Sequence, residues 1–132
     1  MTHMDRRTCI TAALLYLWQL PQNLLGLLFL LILRPDRKEQ AGLVFHHSPR
    51  MRGGISLGDY IIVGDHYTDA DLWHEEGHRL QSLLLGWLYL PVVGLPSLVW
   101  ATLYGRVIKA TPGGYYRFWT EKWADRLGDV KR

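Results

Sequence analysis

A mainly α-helical, integral-membrane chain with a small β-hairpin or meander is the fold class this sequence predicts, on three observations. Residues 8–33 contain no Asp, Glu, Lys or Arg, and neither do residues 80–105, so the other 80 of the 132 residues carry all 27 formal charges. The segment between the two apolar runs is rich in Val, Ile, Phe and Tyr and punctuated by Gly53, Gly54, Gly58 and Gly64, which is strand and turn composition. Two stretches, one opening at Thr68 and one at Tyr115, have helical spacing and end signals. Charged residues make up 20%, below the usual quarter, while 48% are hydrophobic, which argues against a disordered chain. A net charge of +3, spread along the chain, does not favour nucleic acid as a partner. The lone cysteine, Cys9, rules out an internal disulfide framework and a cysteine-built zinc site. One domain spanning 1–132 follows from the length.

Residues 8–33 form the first membrane segment. The run is too long for a secretory apolar core and no A-x-A site follows it. As one helix it would extend roughly 39 Å, enough to cross a bilayer with tilt. Pro21-Gln22-Asn23 interrupts it, so it either kinks as a single span, the favoured reading, or turns back as two short helices. Residues 34–67 then start with a charged, stop-transfer-like loop at Arg34-Pro35-Asp36-Arg37-Lys38-Glu39 and continue as strands around Leu43-Val44-Phe45-His46 and residues 55–63.

Residues 68–86 open on a capping box, a Thr68 hydroxyl with the Asp71 carboxylate three residues on, and run through His74-Glu75-Glu76-Gly77-His78. Residues 87–110 continue the second apolar run, broken by Gly86, Pro91, Gly94 and Pro96; breakage at 91–96 would give a hairpin dipping into the bilayer. Residues 115–127 form the last helix, with Gly128 as its stop signal.

The chemistry lies in the helix at 68–86. His74 and His78 are four residues apart, hence on one helical face, where both imidazoles can bind one Zn²⁺. Glu75 is offset by about 100°, beside the metal's open position, where it can take a proton from water. The competing reading is a non-catalytic membrane protein, either a zinc-stabilised scaffold or an interaction partner in which His74-Glu75-Glu76-Gly77-His78 is a capped surface helix. A catalytic zinc needs a third protein ligand, and no histidine follows shortly after His78. Glu121-Lys122-Trp123-Ala124-Asp125 supplies two carboxylates on one helical face: one can bind metal while the other fixes the tautomer of a liganding histidine. Asp71 competes with Asp125 for that second role.

HExxH followed 43 residues later by E-x-x-A-D resembles the gluzincin metallopeptidases, most closely the membrane-embedded group that contains the CAAX prenyl endopeptidases and bacterial heat-shock membrane proteases. The two motifs cover some fifteen residues, and the chain is far smaller than those enzymes. The resemblance implies His74, His78 and Glu121 as zinc ligands, Glu75 as general base and Asp125 as the hydrogen-bond partner of a liganding imidazole, His74 first. It implies a minimal gluzincin-like zinc core and hydrolysis of a peptide or membrane-protein substrate. It also implies an edge strand beside the cleft, for which Tyr60, Ile61, Ile62 and Val63 are the candidates. His66, Tyr115, Tyr116 and Arg117 remain open as donors to a developing oxyanion.

Such a site constrains topology. Glu121 reaches the histidines only if the second apolar run returns to its starting side or the zinc lies within the bilayer. The lipid bilayer is therefore an expected partner, in an inner or plasma membrane of bacterial type. Placing 13 of the 15 Lys and Arg on one face points the zinc site to the cytoplasm. Tryptophans and tyrosines near the ends of the apolar runs read as an interfacial belt. Nothing in the residues fixes the oligomeric state.

Overall fold

A computed structural model describes residues 6–106 and 114–132. The end of the predicted 87–110 segment and Gly113 lie outside the described residues. The elements are α1 (Arg6–Trp18), α2 (Leu20–Leu33), β1 (Asp36–Gln40), β2 (Leu43–His47), β3 (Gly54–Leu57), β4 (Tyr60–Val63), α3 (Asp69–Leu85), α4 (Leu95–Arg106) and α5 (Trp119–Leu127).

The single membrane-spanning helix expected from the integral-membrane reading is not formed: among the described residues no single helix is long and apolar enough to cross a bilayer. The first apolar run divides into α1 and α2, of 13 and 14 residues, bent by 88°. The cause is the polar interruption. Pro21 sits in the first turn of α2, where its missing N–H is harmless. Gln19, Gln22 and Asn23 are fully buried and so must find partners inside the protein. Ser82 donates to Gln19 Oε1 (2.6 Å), Gln22 donates to Ser82 Oγ and the Gly86 carbonyl (both 2.8 Å), and Asn23 Oδ1 accepts from the Asp59 backbone N–H (2.8 Å). A straight helix would pull these amides away from α3 and the sheet.

The second run also departs from expectation. Its break falls at Gly86, whose φ of +57° ends α3, and Trp18 lies so close that a Cβ at that position would enter the indole ring. Trp18 and Trp87 donate their indole N–H groups to the Leu83 and Leu17 carbonyls across this crossing, a bonding role the belt reading did not foresee. A 3₁₀ turn (Gly86–Leu88) and a π-type turn (Leu90–Gly94) follow, then α4. Pro91 lies in the first turn of the π segment, and the Leu95 N–H bonds the Leu90 carbonyl, so the prolines are absorbed without a hairpin at 91–96.

The sheet has four strands in the order β1-β2-β4-β3. Residues 36–40, read as a charged loop, instead pair antiparallel with β2, and all five are exposed. Charge on an outer strand discourages pairing with other chains. β2 and β4 run parallel, and β3 and β4 form a hairpin closed at Gly58-Asp59. α3 packs on the sheet, closing a small core of Phe45, Ile61, Val63 and Leu72. The capping box at its start is formed: Thr68 Oγ1 accepts from the Asp71 N–H (3.2 Å) and Asp71 Oδ2 from the Thr68 N–H (2.8 Å). The opposite side of α3 crosses α5, and that crossing builds the site.

Candidate metal and catalytic centre

The closeness of α3 and α5 is set by glycine. A Cβ on Gly77 would stand 2.6 Å from the Ala124 carbonyl carbon and closer still to its oxygen, so the two backbones touch where any larger residue would part them. Gly128 repeats the device against the Trp73 carbonyl. Its φ of −82° is ordinary helix, so it is a contact glycine rather than a conformational stop. The left-handed residue after α5 is Asp129, with φ +55°.

This contact brings the two motifs together. Glu121 Oε2 lies 2.8 Å from His74 Nε2 and 2.9 Å from His78 Nε2. All three residues are buried, and their ligand atoms lie within 4.8 Å of one another, a group that could hold a metal ion. The hydrogen bonds behind them suit that use. His74 Nδ1–H donates to Asp125 Oδ1 (2.7 Å), and Asp71, the rival partner, is occupied in the cap. Gln81 donates its amide N–H to the Thr120 carbonyl (2.9 Å), which turns its Oε1 towards His78 Nδ1 (2.7 Å). Both rings therefore carry hydrogen on Nδ1 and present Nε2 to one point. Gln81 was missed in the sequence, although its i+3 spacing from His78 is a usable signal.

The electrostatics follow from burial and proximity. Burial by itself depresses the His78 imidazole, but the hydrogen bond to Glu121 and the Glu75 charge outweigh it and place its pKa at about 9. His74 is likewise raised, against burial, chiefly by Glu121 and Glu75. Burial pushes the Glu121 carboxyl up, yet the two imidazoles hold it at about 2. Glu75 differs: burial dominates and raises it, and its Oε2 is buried with no hydrogen-bond partner. A cluster of two imidazoles and a carboxylate needs protons or a cation between its lone pairs. It can therefore act as a tridentate N,N,O metal site, with a carboxylate base alongside.

The cluster opens into a cavity of about 880 Å³. His66, Tyr67, Asp71, Tyr115 and Tyr116 line it, whereas Arg117 ends the 3₁₀ turn (Tyr115–Arg117) outside its wall. Tyr115 donates to Glu121 Oε1 (3.3 Å), and the Tyr116 ring stands edge-on to His74 at 5.0 Å between centroids. Leu25, Phe29, Leu95 and Leu98 add apolar lining. The strand assigned from sequence is displaced by one hairpin arm. Tyr60, Ile61, Ile62 and Val63 make β4, an inner strand paired on both sides, because they are the most apolar residues of the sheet and its core needs them. β3 is the edge, all four of its residues line the cavity, and a Cβ on Gly54 would come within 2.8 Å of Glu75 Oε1. The two-residue hairpin loop makes Leu57 and Tyr60 a hydrogen-bonded pair, and Gly64 N–H to Gly53 O (2.8 Å) continues the alternation. Gly54 and Ser56 therefore turn their backbone groups outward, and the Ser56 carbonyl already accepts from Tyr89 Oη (3.1 Å). No family model, curated protein or solved structure matches the chain.

Proposed function

We propose that the chain is a zinc-dependent metalloendopeptidase of gluzincin type. The observation that carries the reading is the meeting of His74 Nε2, His78 Nε2 and Glu121 Oε2 at one point beside the unpartnered carboxylate oxygen of Glu75, at the wall of one cavity. Two imidazoles and one carboxylate with an open side suit catalytic zinc. When bound, zinc supplies Lewis acidity that polarises a scissile carbonyl. Glu75 takes a proton from the attacking water and returns it to the leaving amine; its buried oxygen and raised pKa suit a base that must also act as an acid. An extended peptide pairs with the outward backbone of Gly54, the Ser56 carbonyl being held by Tyr89. Tyr115, poised on Glu121, donates to the developing oxyanion.

The lipid bilayer enters as a partner of the exposed apolar surface. α1 has no buried residue, and Leu14, Leu31, Ile32 and Leu98 are each more than 60% exposed on a charge-free stretch of chain. An unpartnered apolar surface of that kind suits contact with lipid. Metal content of purified protein tests the centre: wild type should hold one zinc per chain and Glu121→Ala close to none. Zinc near zero in both would remove the enzyme reading. Glu75→Gln should keep its zinc and lose peptide cleavage by about 10²-fold or more. Undiminished cleavage by that variant contradicts the mechanism, and retained zinc with no cleavage by wild type leaves a zinc-stabilised scaffold.

A further inference from the structure

We infer that Arg132 is a positioning residue for the metal centre, acting on His74 through two of the groups against its ring, Asp125 and Tyr116. The inference rests on the zinc reading above. Arg132 Nε donates to Asp125 Oδ2 at 2.9 Å and Nη2 to Asp125 Oδ1 at 3.3 Å. Oδ1 is the same oxygen that accepts the His74 Nδ1–H at 2.7 Å. The Arg132 guanidinium also lies 3.2 Å over the Tyr116 ring centroid, and that ring is the one edge-on to His74. One cation therefore touches two neighbours of one imidazole.

The local chain explains how Arg132 arrives there. After α5 the Asp129 N–H bonds the Arg126 carbonyl and the Val130 N–H bonds the Asp125 carbonyl, a Schellman turn with Asp129 in the left-handed position. This turn reverses the chain and brings residue 132 back across the last turn of the helix. The consequence is geometric. A carboxylate held at one oxygen can rotate about its terminal torsion, whereas a two-pronged guanidinium fixes its plane and so the line along which it grips His74. Many ion pairs with a partly exposed cation contribute nothing measurable. Here the Asp125 side chain is 11% exposed and the His74 side chain 5%, so the acceptor end is shielded and the pair is bidentate. Lysine offers one point charge and no planar face for Tyr116, so it is a poor substitute.

The test is the zinc dissociation constant of the full chain, measured by chelator competition, together with the visible spectrum of the cobalt-loaded protein. Arg132→Ala should weaken zinc binding about tenfold or more and alter the cobalt spectrum, with Arg132→Lys in between. The melting temperature of the metal-free protein should barely move. In an Asp125→Ala background, adding Arg132→Ala should cost clearly less zinc affinity than it does in wild type, because only the Tyr116 contact is then left to lose. Binding by Arg132→Ala within twofold of wild type overturns the inference, as does an equal loss in both backgrounds. If Arg132→Ala does not fold, Arg132→Lys in the two backgrounds supplies the same comparison. Absence of zinc binding by wild type overturns the metal centre itself, and the role of Arg132 with it.

Discussion

Replacing Gly77 by alanine separates two effects that normally act together. In an ordinary exposed helix the change gains about 1 kcal/mol, because glycine is the poorer helix former. Here the added methyl carbon would lie 2.6 Å from the Ala124 carbonyl carbon, against an ordinary contact of 3.4–4 Å. The neighbour is backbone, not the end of a flexible side chain, so α5 must move away by about 1 Å, and overpacking of this kind costs about 1–3 kcal/mol or more. At the upper end of that range the net destabilisation is about 1–2 kcal/mol, a fall in melting temperature of about 4–7 °C for a chain of this size. The displacement acts along the line from Gly77 to Ala124, three residues beyond Glu121. The 2.8 and 2.9 Å separations between Glu121 and the imidazoles should therefore lengthen, and zinc affinity should fall more steeply than stability. Thermal melting by circular dichroism and zinc titration on the same preparation give both numbers. A Gly77→Ala protein that melts at or above the wild-type temperature and binds zinc equally well would refute the claim that α3–α5 contact builds the centre.

Two further predictions concern the base and its neighbours. Gly54→Ala would put a Cβ 2.8 Å from Glu75 Oε1, which can swing aside, so zinc content should stay at the wild-type level while cleavage drops at least severalfold; parallel assays of metal and turnover check this. The metal-free protein should lose stability as pH rises. His78 has a folded pKa of about 9 against 6.5 for the free group, so its contribution is complete below pH 6.5 and lost as pH climbs through 9. Glu121, held at about 2 against 4.5, contributes above pH 4.5 and ceases to as pH falls through 2. Melting temperature without metal should therefore decline between pH 6.5 and 9, and zinc should offset the decline because it binds the neutral imidazoles. A flat or rising melting temperature over that range in the metal-free protein would count against the imidazole–carboxylate cluster.

The centre was more legible than the fold around it, for reasons of range. His74, Glu75 and His78 are related by the 3.6-residue helical period, and Thr68 with Asp71 by the capping geometry, so their mutual placement is local and can be read along the chain. Glu121 and Asp125 share a face by the same rule. The bend at Pro21 was not legible as a bend, because a buried Gln19-Gln22-Asn23 set declares itself only when Ser82, Gly86 and Asp59 arrive to satisfy it. The edge strand went to the wrong hairpin arm since β4 and β3 are both short, and which of them meets β2 is a long-range choice. Charge misled at residues 36–40, where an exposed strand has the composition of a loop.

By itself, then, the sequence determined which side chains share a helical face, and thereby a donor set fit for a divalent ion. Tertiary structure alone decided that the two helices meet, through the missing side chain of Gly77, that Gln81 stands behind His78, and that Asp125 rather than Asp71 holds His74. It also decided that the first apolar run folds as two helices bent by 88° and that the second breaks at Gly86. The physical reason is that helical periodicity is fixed by bonds between near neighbours, whereas backbone approach and the satisfaction of buried polar groups depend on atoms dozens of residues away.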